Sequence, residues 1–148
     1  MYHNPEITFL MNPSPEIIDW KAVVGLFKKV QWGRREPSEI REAFQKSSYC
    51  CFVLHKEELI AMGRTIDDGR YYAMLVDIAV DPEFQNQGIG KEIVQRLKDH
   101  LSGYKFITLS AAAGKHGFYE KIGWKRQNSA FIFPVNDQQA KDHSEQDF

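Results

Sequence analysis

The sequence predicts an α/β fold built on a mixed sheet, and three observations carry that prediction. Two apolar runs, SYCCFVLH (48–55) and ELIAMGRTI (58–66), flank a short polar turn and read as a hairpin. The run YYAMLVDIAV (71–80) leads through QNQGIGK (85–91) into the helical pattern KEIVQRLKDHL (91–101), then KFITLS (105–110). Such a strand–helix–strand order implies that 71–80 and 105–110 lie parallel. The composition suits one soluble domain: 148 residues, 43% hydrophobic and 26% charged.

Each remaining element has its own local reason. EITFLM (6–11) reads as a first strand. Ser14 as N-cap and Pro15 at the first helical position open a helix running to about Lys29. The segment from Trp32 to Pro37 is a loop, and Ser38 caps a second helix to about Lys46. Asp67-Asp68-Gly69 signals a second hairpin, and Asp81-Pro82 ends the long strand. A short helix over 115–122 and strands near 123–127 and 130–134 complete the fold. That gives about six to seven strands flanked by about four helices. Residues 1–135 form the domain. The polar tail from Asn136 to Phe148 is expected to be unstructured.

Composition also excludes function classes. A formal net charge of −1 offers no basic stripe for nucleic acid, and the pairs Lys28-Lys29 and Arg34-Arg35 read as solvated. No apolar stretch reaches membrane-spanning length, and the N-terminus lacks a secretory pattern. Cys50 and Cys51 are strand neighbours on opposite faces, which disfavours a mutual disulfide and points to a reducing cytoplasm. The five histidines show no metal-ligand spacing, so no metal is expected.

The turn QNQGIGK poses the functional question, since two glycines between strand and helix let backbone approach a ligand. A nucleotide-triphosphate loop would need a hydroxyl residue after Gly90-Lys91, and Glu92 stands there. A dinucleotide fingerprint would need a third glycine where Ile93 stands. What remains is a helix N-terminus at which Gln87, Gly88, Ile89, Gly90 and Lys91 can aim free backbone N–H groups at one anion. Such a nest contributes roughly 0.3–2 kcal/mol and suits a pyrophosphate without metal.

Gln85-x-x-Gly88-x-Gly90 after the strand, followed by GFYEKIGW (117–124), resembles the acetyl-CoA-binding core of GCN5-related N-acetyltransferases. The resemblance is specific over about residues 50–126. It implies a sheet that splays open after 71–80, so that the pantetheine arm pairs with Ile78, Ala79 and Val80 while the pyrophosphate sits on 87–91. Gln85 fits the family's first motif position, and Phe118 lies in the second motif. One departure stands out. Many members carry Asn where this chain has Ala112, so that expected coenzyme contact is either absent or replaced by Ser110 or by backbone.

The chemistry needs a neutral amine and a protonated leaving thiolate. An amine of pKa ~10.4 is neutral in only about one molecule in 2,500 at pH 7, a deficit of roughly 4–5 kcal/mol. A carboxylate, or a water held by one, can take that proton. Asp77 is the candidate, because it interrupts an apolar strand where an unpaired carboxylate is costly. The alternative is that Asp77 only braces the site. The resemblance places Tyr119 beside the sulfur, and a tyrosine stays protonated at pH 7, so Tyr119 is the candidate acid for the thiolate, against a plain packing role beside Phe118. For the acceptor, Trp32, Arg34 and Tyr71 are candidate binding residues. The expected activity is transfer of acetyl from acetyl-CoA to a small-molecule primary amine by direct attack in a ternary complex. A protein or peptide amine, or a non-catalytic acyl-CoA sensor, are the alternatives; a homodimer is the assembly considered.

Overall fold

The computed structural model describes residues 3–144. Two compact units divide at Leu109/Ser110. The first holds a five-stranded sheet in sequence order: β1 (Ile7–Met11), β2 (Cys50–His55), β3 (Glu58–Asp67), β4 (Tyr72–Val80) and β5 (Phe106–Leu109). The first four strands are antiparallel to their neighbours, and β4 and β5 are parallel, as the strand–helix–strand order requires.

Helices α1 (Trp20–Lys29) and α2 (Pro37–Gln45) cover one face. Val23, Leu26, Phe27, Ile40 and Phe44 pack there against Cys50, Phe52, Met62 and Ala79. Helix α3 (Ile89–His100) covers the other face with Ile89, Ile93, Val94 and Leu97, all buried. It approaches the sheet over Gly63, where a Cβ would sit 2.6 Å from Ile78 Cδ1 and 2.7 Å from Ile93 Cγ2. Glycine is therefore required sterically at that position. Alternation sends Cys50 into the α1–α2 core and its neighbour Cys51 to the opposite face, and both are free thiols. Burial pushes the Cys50 thiol up to about 11 and the Cys51 thiol up to about 12.

Two helix starts differ from expectation. The helix expected from Pro15 to Lys29 is broken: Pro15–Ile17 is a short 3-10 turn, and Ile18 is extended. Asp19 then starts α1 by accepting from the Lys21 and Ala22 N–H groups, at 3.1 and 3.2 Å. A second capping residue inside the pattern outcompetes continuation. Helix α2 begins at Pro37 rather than after Ser38, since proline suits the first helical turn.

The second unit carries α4 (His116–Lys121) and α5 (Asp137–His143). The strands expected near 123–127 and 130–134 are not formed, and Phe131 and Phe133 are almost wholly exposed. Apolar alternation makes a strand only when a neighbour takes up its backbone groups, and the described residues supply no such ladder. Where an unstructured tail is expected, α5 forms instead, capped by Asn136 accepting from Gln139 N–H at 2.8 Å. Residues 145–148 of that tail lie outside the described residues.

Candidate active site

Strand β4 changes character along its length. Its pairing to β5 runs only from Tyr72↔Phe106 to Leu75↔Leu109. Its pairing to β3 continues to Ala61↔Val80. From Val76 onward the edge of β4 facing β5 is therefore left without a strand neighbour within the first unit, so its N–H and C=O groups can accept an extended ligand.

At the changeover lies a β-bulge. Arg64 faces Val76 and Met62 faces Ala79, so Gly63 alone opposes both Asp77 and Ile78. Asp77 adopts φ 56°. A non-glycine residue there carries a strain of order 1–3 kcal/mol unless its surroundings hold it. Here the surroundings do: Arg64 Nε donates to Asp77 Oδ2 at 2.7 Å, with both side chains largely buried. The other carboxylate oxygen, Oδ1, has no hydrogen-bond donor among the described residues.

After Val80 the chain turns sharply. Asp81 is buried; it accepts from Lys29 Nζ at 2.7 Å and from Glu83 N–H at 3.0 Å. Burial pushes its carboxyl up, but Lys29 and the Glu83 amide outweigh that and hold it below the usual range. Lys29 is thus paired rather than merely solvated, and it clamps the end of α1 to the end of β4. In the sequence Asp81 reads only as a strand terminator, because no local pattern links it to a residue as distant as Lys29.

Gln85 donates from Nε2 to the Val80 carbonyl at 3.0 Å, so its amide is committed to shaping the turn. Asn86 and Gly88 both take positive φ, 64° and 83°. Gly88 is the N-cap of α3 and has no side chain to offer the free amides that begin a helix. Gln87, Gly88 and Lys91 are exposed, Gly90 is half-buried, and the Ile89 side chain is buried under the turn. The first helical N–H groups are left for an external acceptor, and the helix dipole favours an anion. The pyrophosphate of acetyl-CoA fits this donor set, and the open edge of β4 fits an amide-bearing arm.

The other predicted residues separate into groups. Tyr71 precedes β4; at ~3.3 Å per residue it lies roughly 25–30 Å from Val80, and so is not brought to the open end. Trp32 is half-buried against the α1–α2 core, its ring 6.2 Å from that of Phe27. Arg34 is exposed and within 3.5 Å of Glu36. Ser110 is exposed directly after β5. In the second unit, Tyr119 on α4 is half-buried, with its ring 4.9 Å from Phe118 and 6.4 Å from Trp124. Burial raises its phenol above the ordinary value, so a group already protonated at neutral pH stays protonated over a wider range. Among the described residues, no group of His, Cys, Asp and Glu could hold a metal, and no helix is long and apolar enough to cross a membrane.

Comparison with known proteins identifies the family. An acetyltransferase (GNAT) domain model matches residues 27–134. GCN5-related N-acetyltransferase 1, chloroplastic, of Arabidopsis thaliana is 29% identical over 120 residues, 78% of this chain and 61% of that protein. Histone acetyltransferase TAP1 of Glycine max is 31% identical over 134 residues, 81% of this chain and 56% of that protein. The chain spans about half to three fifths of the length of the first curated relatives it matches. A probable acetyltransferase from Staphylococcus aureus superposes with TM-score 0.75 at 18% identity, covering 88% of this chain and 98% of that one. The motif order, the strand that loses its neighbour before the glycine turn, and the extent of the domain match converge: the chain belongs to the GNAT acetyltransferase family.

Proposed function

We propose that this protein moves the acetyl group of acetyl-CoA to the primary amine of a small molecule, by direct attack in a ternary complex. The observation that carries the reading is continuity: the unpartnered end of β4 runs directly into the uncapped N-terminus of α3. Ile78, Ala79 and Val80 would hold the pantetheine arm, and the amides of 87–91 the pyrophosphate. The match across residues 27–134 supports treating 1–135 as one acetyltransferase domain. Two free, buried cysteines are consistent with work in a reducing cytoplasm.

The residues then divide the proton work. Asp77 is fixed through Oδ2 by Arg64, and its remaining oxygen would accept from the incoming ammonium or from a water that takes its proton. Tyr119, a phenol neutral at pH 7 that partial burial pushes further from ionising, would give a proton to the thiolate as the thioester C–S bond breaks and the amide C–N bond forms.

A thiol-release assay across polyamines, arylalkylamines, amino sugars, amino acids and peptides tests the reading. Turnover on free amines is expected. Turnover on peptides alone would replace the small-molecule acceptor with a protein one, a reading favoured by the histone acetyltransferase name of one relative. Acetyl-CoA binding with no turnover on any amine would leave a sensor module.

A further inference from the structure

We propose that Arg64 is a positioning residue of the transfer: its ion pair with Asp77 locks the left-handed bulge that opens β4, and ties that bulge to the end of α2. The inference rests on the acetyl-CoA reading above.

One planar guanidinium reaches from β3 to two other elements. Its Nε donates to Asp77 Oδ2 at 2.7 Å in the β4 bulge. Its Nη1 donates to Ser47 Oγ at 3.2 Å and points toward the Ala43 carbonyl at 3.5 Å, at the C-terminal end of α2. Its central carbon lies 5.2 Å from the centre of the Phe44 ring. Arginine suits this place because its donors are fixed in a plane and its face stacks on an aromatic; lysine supplies one point charge. The Arg64 side chain is 14% exposed and that of Asp77 17%. Removing the guanidinium would strand a carboxylate that has little water to replace it.

The escape open to a stranded Asp77 is to leave the left-handed region, and that erases the bulge. Ile78, Ala79 and Val80 would then slip by one residue, each side chain turning to the opposite face. Ile78 would leave its packing beside Gly63 and α3, and Ala79 would leave the α1–α2 core. Successive strand residues also present their N–H and C=O groups to alternate edges, so the slip swaps which amides face the open side. An arm that pairs with one set would meet the other. Arg64 thus sets the register of the coenzyme ladder without touching the coenzyme.

Calorimetry with acetyl-CoA on wild type, Arg64→Ala, Arg64→Lys and the double variant Arg64→Ala/Asp77→Gly provides the test. Arg64→Ala should weaken acetyl-CoA by about 10–100-fold in protein that is folded, and Arg64→Lys by an intermediate factor. The double variant should return to within about threefold of wild type, because glycine takes positive φ freely and leaves no carboxylate stranded. A role confined to stability would lower Tm while leaving the affinity of folded protein unchanged, and would show no rescue. Affinity of folded Arg64→Ala within about threefold of wild type overturns the proposal, as does a double variant no better than the single one. Amide exchange in Arg64→Lys covers the case in which Arg64→Ala does not fold. Faster exchange confined to Asp77–Val80 supports the lock, and uniform change across the sheet overturns it. Absence of acetyl-CoA binding to wild type would sink the transferase reading instead, and the exchange pattern would still decide the lock.

Discussion

From Tyr72 to Leu75, β4 is hydrogen-bonded on both sides; from Val76 to Val80 its strand partner within the first unit is β3 alone. The two halves differ little in apolar character, yet they are held in opposite ways. At the closed end, Asp67 on β3 accepts from the Ser48, Thr65 and Tyr104 hydroxyls and from Gly69 N–H, knotting three segments together. At the open end the polar groups are arranged the other way round. Among the described residues, no donor claims one carboxylate oxygen of Asp77, no side chain caps the α3 amides, and the strained backbone at Asp77 is held by the Arg64 guanidinium. Saturated hydrogen bonding stabilises; withheld hydrogen bonding is available to a ligand. The difference separates scaffold from site, and substitutions should sort the same way.

The largest effect should come from Tyr119→Phe, which removes the proposed acid while keeping the ring contacts with Phe118 and Trp124. Turnover should fall by ~10²–10⁴-fold, with acetyl-CoA affinity and Tm near wild type. Steady-state kinetics beside a thermal melt would show it. Near-normal turnover would return Tyr119 to a packing role.

Gly88→Val comes next. Gly88 has φ 83° and caps the helix whose amides are proposed to hold phosphate, so a β-branched side chain strains the turn and crowds the anion. Acetyl-CoA affinity should fall by about 10–100-fold, measured by calorimetry on folded protein. Unchanged affinity would remove the pyrophosphate from residues 87–91 and erase half of the contrast between the two ends of β4.

How far the sequence foretold this contrast depends on how local each signal is. The hairpin, the parallel pair and the glycine turn were legible, because period, turn residues and spacing lie within a few residues of one another. Asp77 was visible as a carboxylate in an apolar strand, but not its left-handed backbone or its partner Arg64, since both depend on the register of β3 against β4. Lys29 and Asp81 looked like a solvated base and a strand terminator, although together they clamp α1 to the turn. The break at Ile18 could have been read, because Asp19 two residues before Lys21 is an ordinary capping arrangement. The strands expected near 123–127 and 130–134 failed for the converse reason: their pattern was clear, but a pattern supplies no ladder partner.

Gly63→Ala probes the boundary between the halves. Its new methyl would lie within 2.7 Å of both Ile78 and Ile93, so α3 must lift or the bulge must shift. Overpacking of that kind costs about 1–3 kcal/mol, visible as a lower denaturant midpoint. Because Gly63 faces Asp77 and Ile78 directly, acetyl-CoA affinity should fall with it, unlike a substitution at the closed end. Lost stability with wild-type affinity would show that bulge and ladder are independent.

The smallest effect belongs to the scaffold alone. Cys50 and Cys51 oppose Arg64 and Gly63 across β2 and β3, and burial raises their thiols from 9.0 to about 11 and about 12. Below pH 9 folded and unfolded chains both keep these protons, so the contribution to stability is constant. Between pH 9 and 11–12 the unfolded chain releases them while the folded chain retains them, so stability falls as pH rises. At pH 10 the loss is on the order of 1 kcal/mol per thiol. Denaturant midpoints at pH 8 and pH 10 should therefore differ less in Cys51→Ala than in wild type. Tyrosines and lysines titrate in both proteins, so the difference between the two isolates the thiol. An equal drop in both would mean that Cys51 is open to hydroxide in the native state, and that the face beneath α3 is less tightly closed than its buried residues indicate.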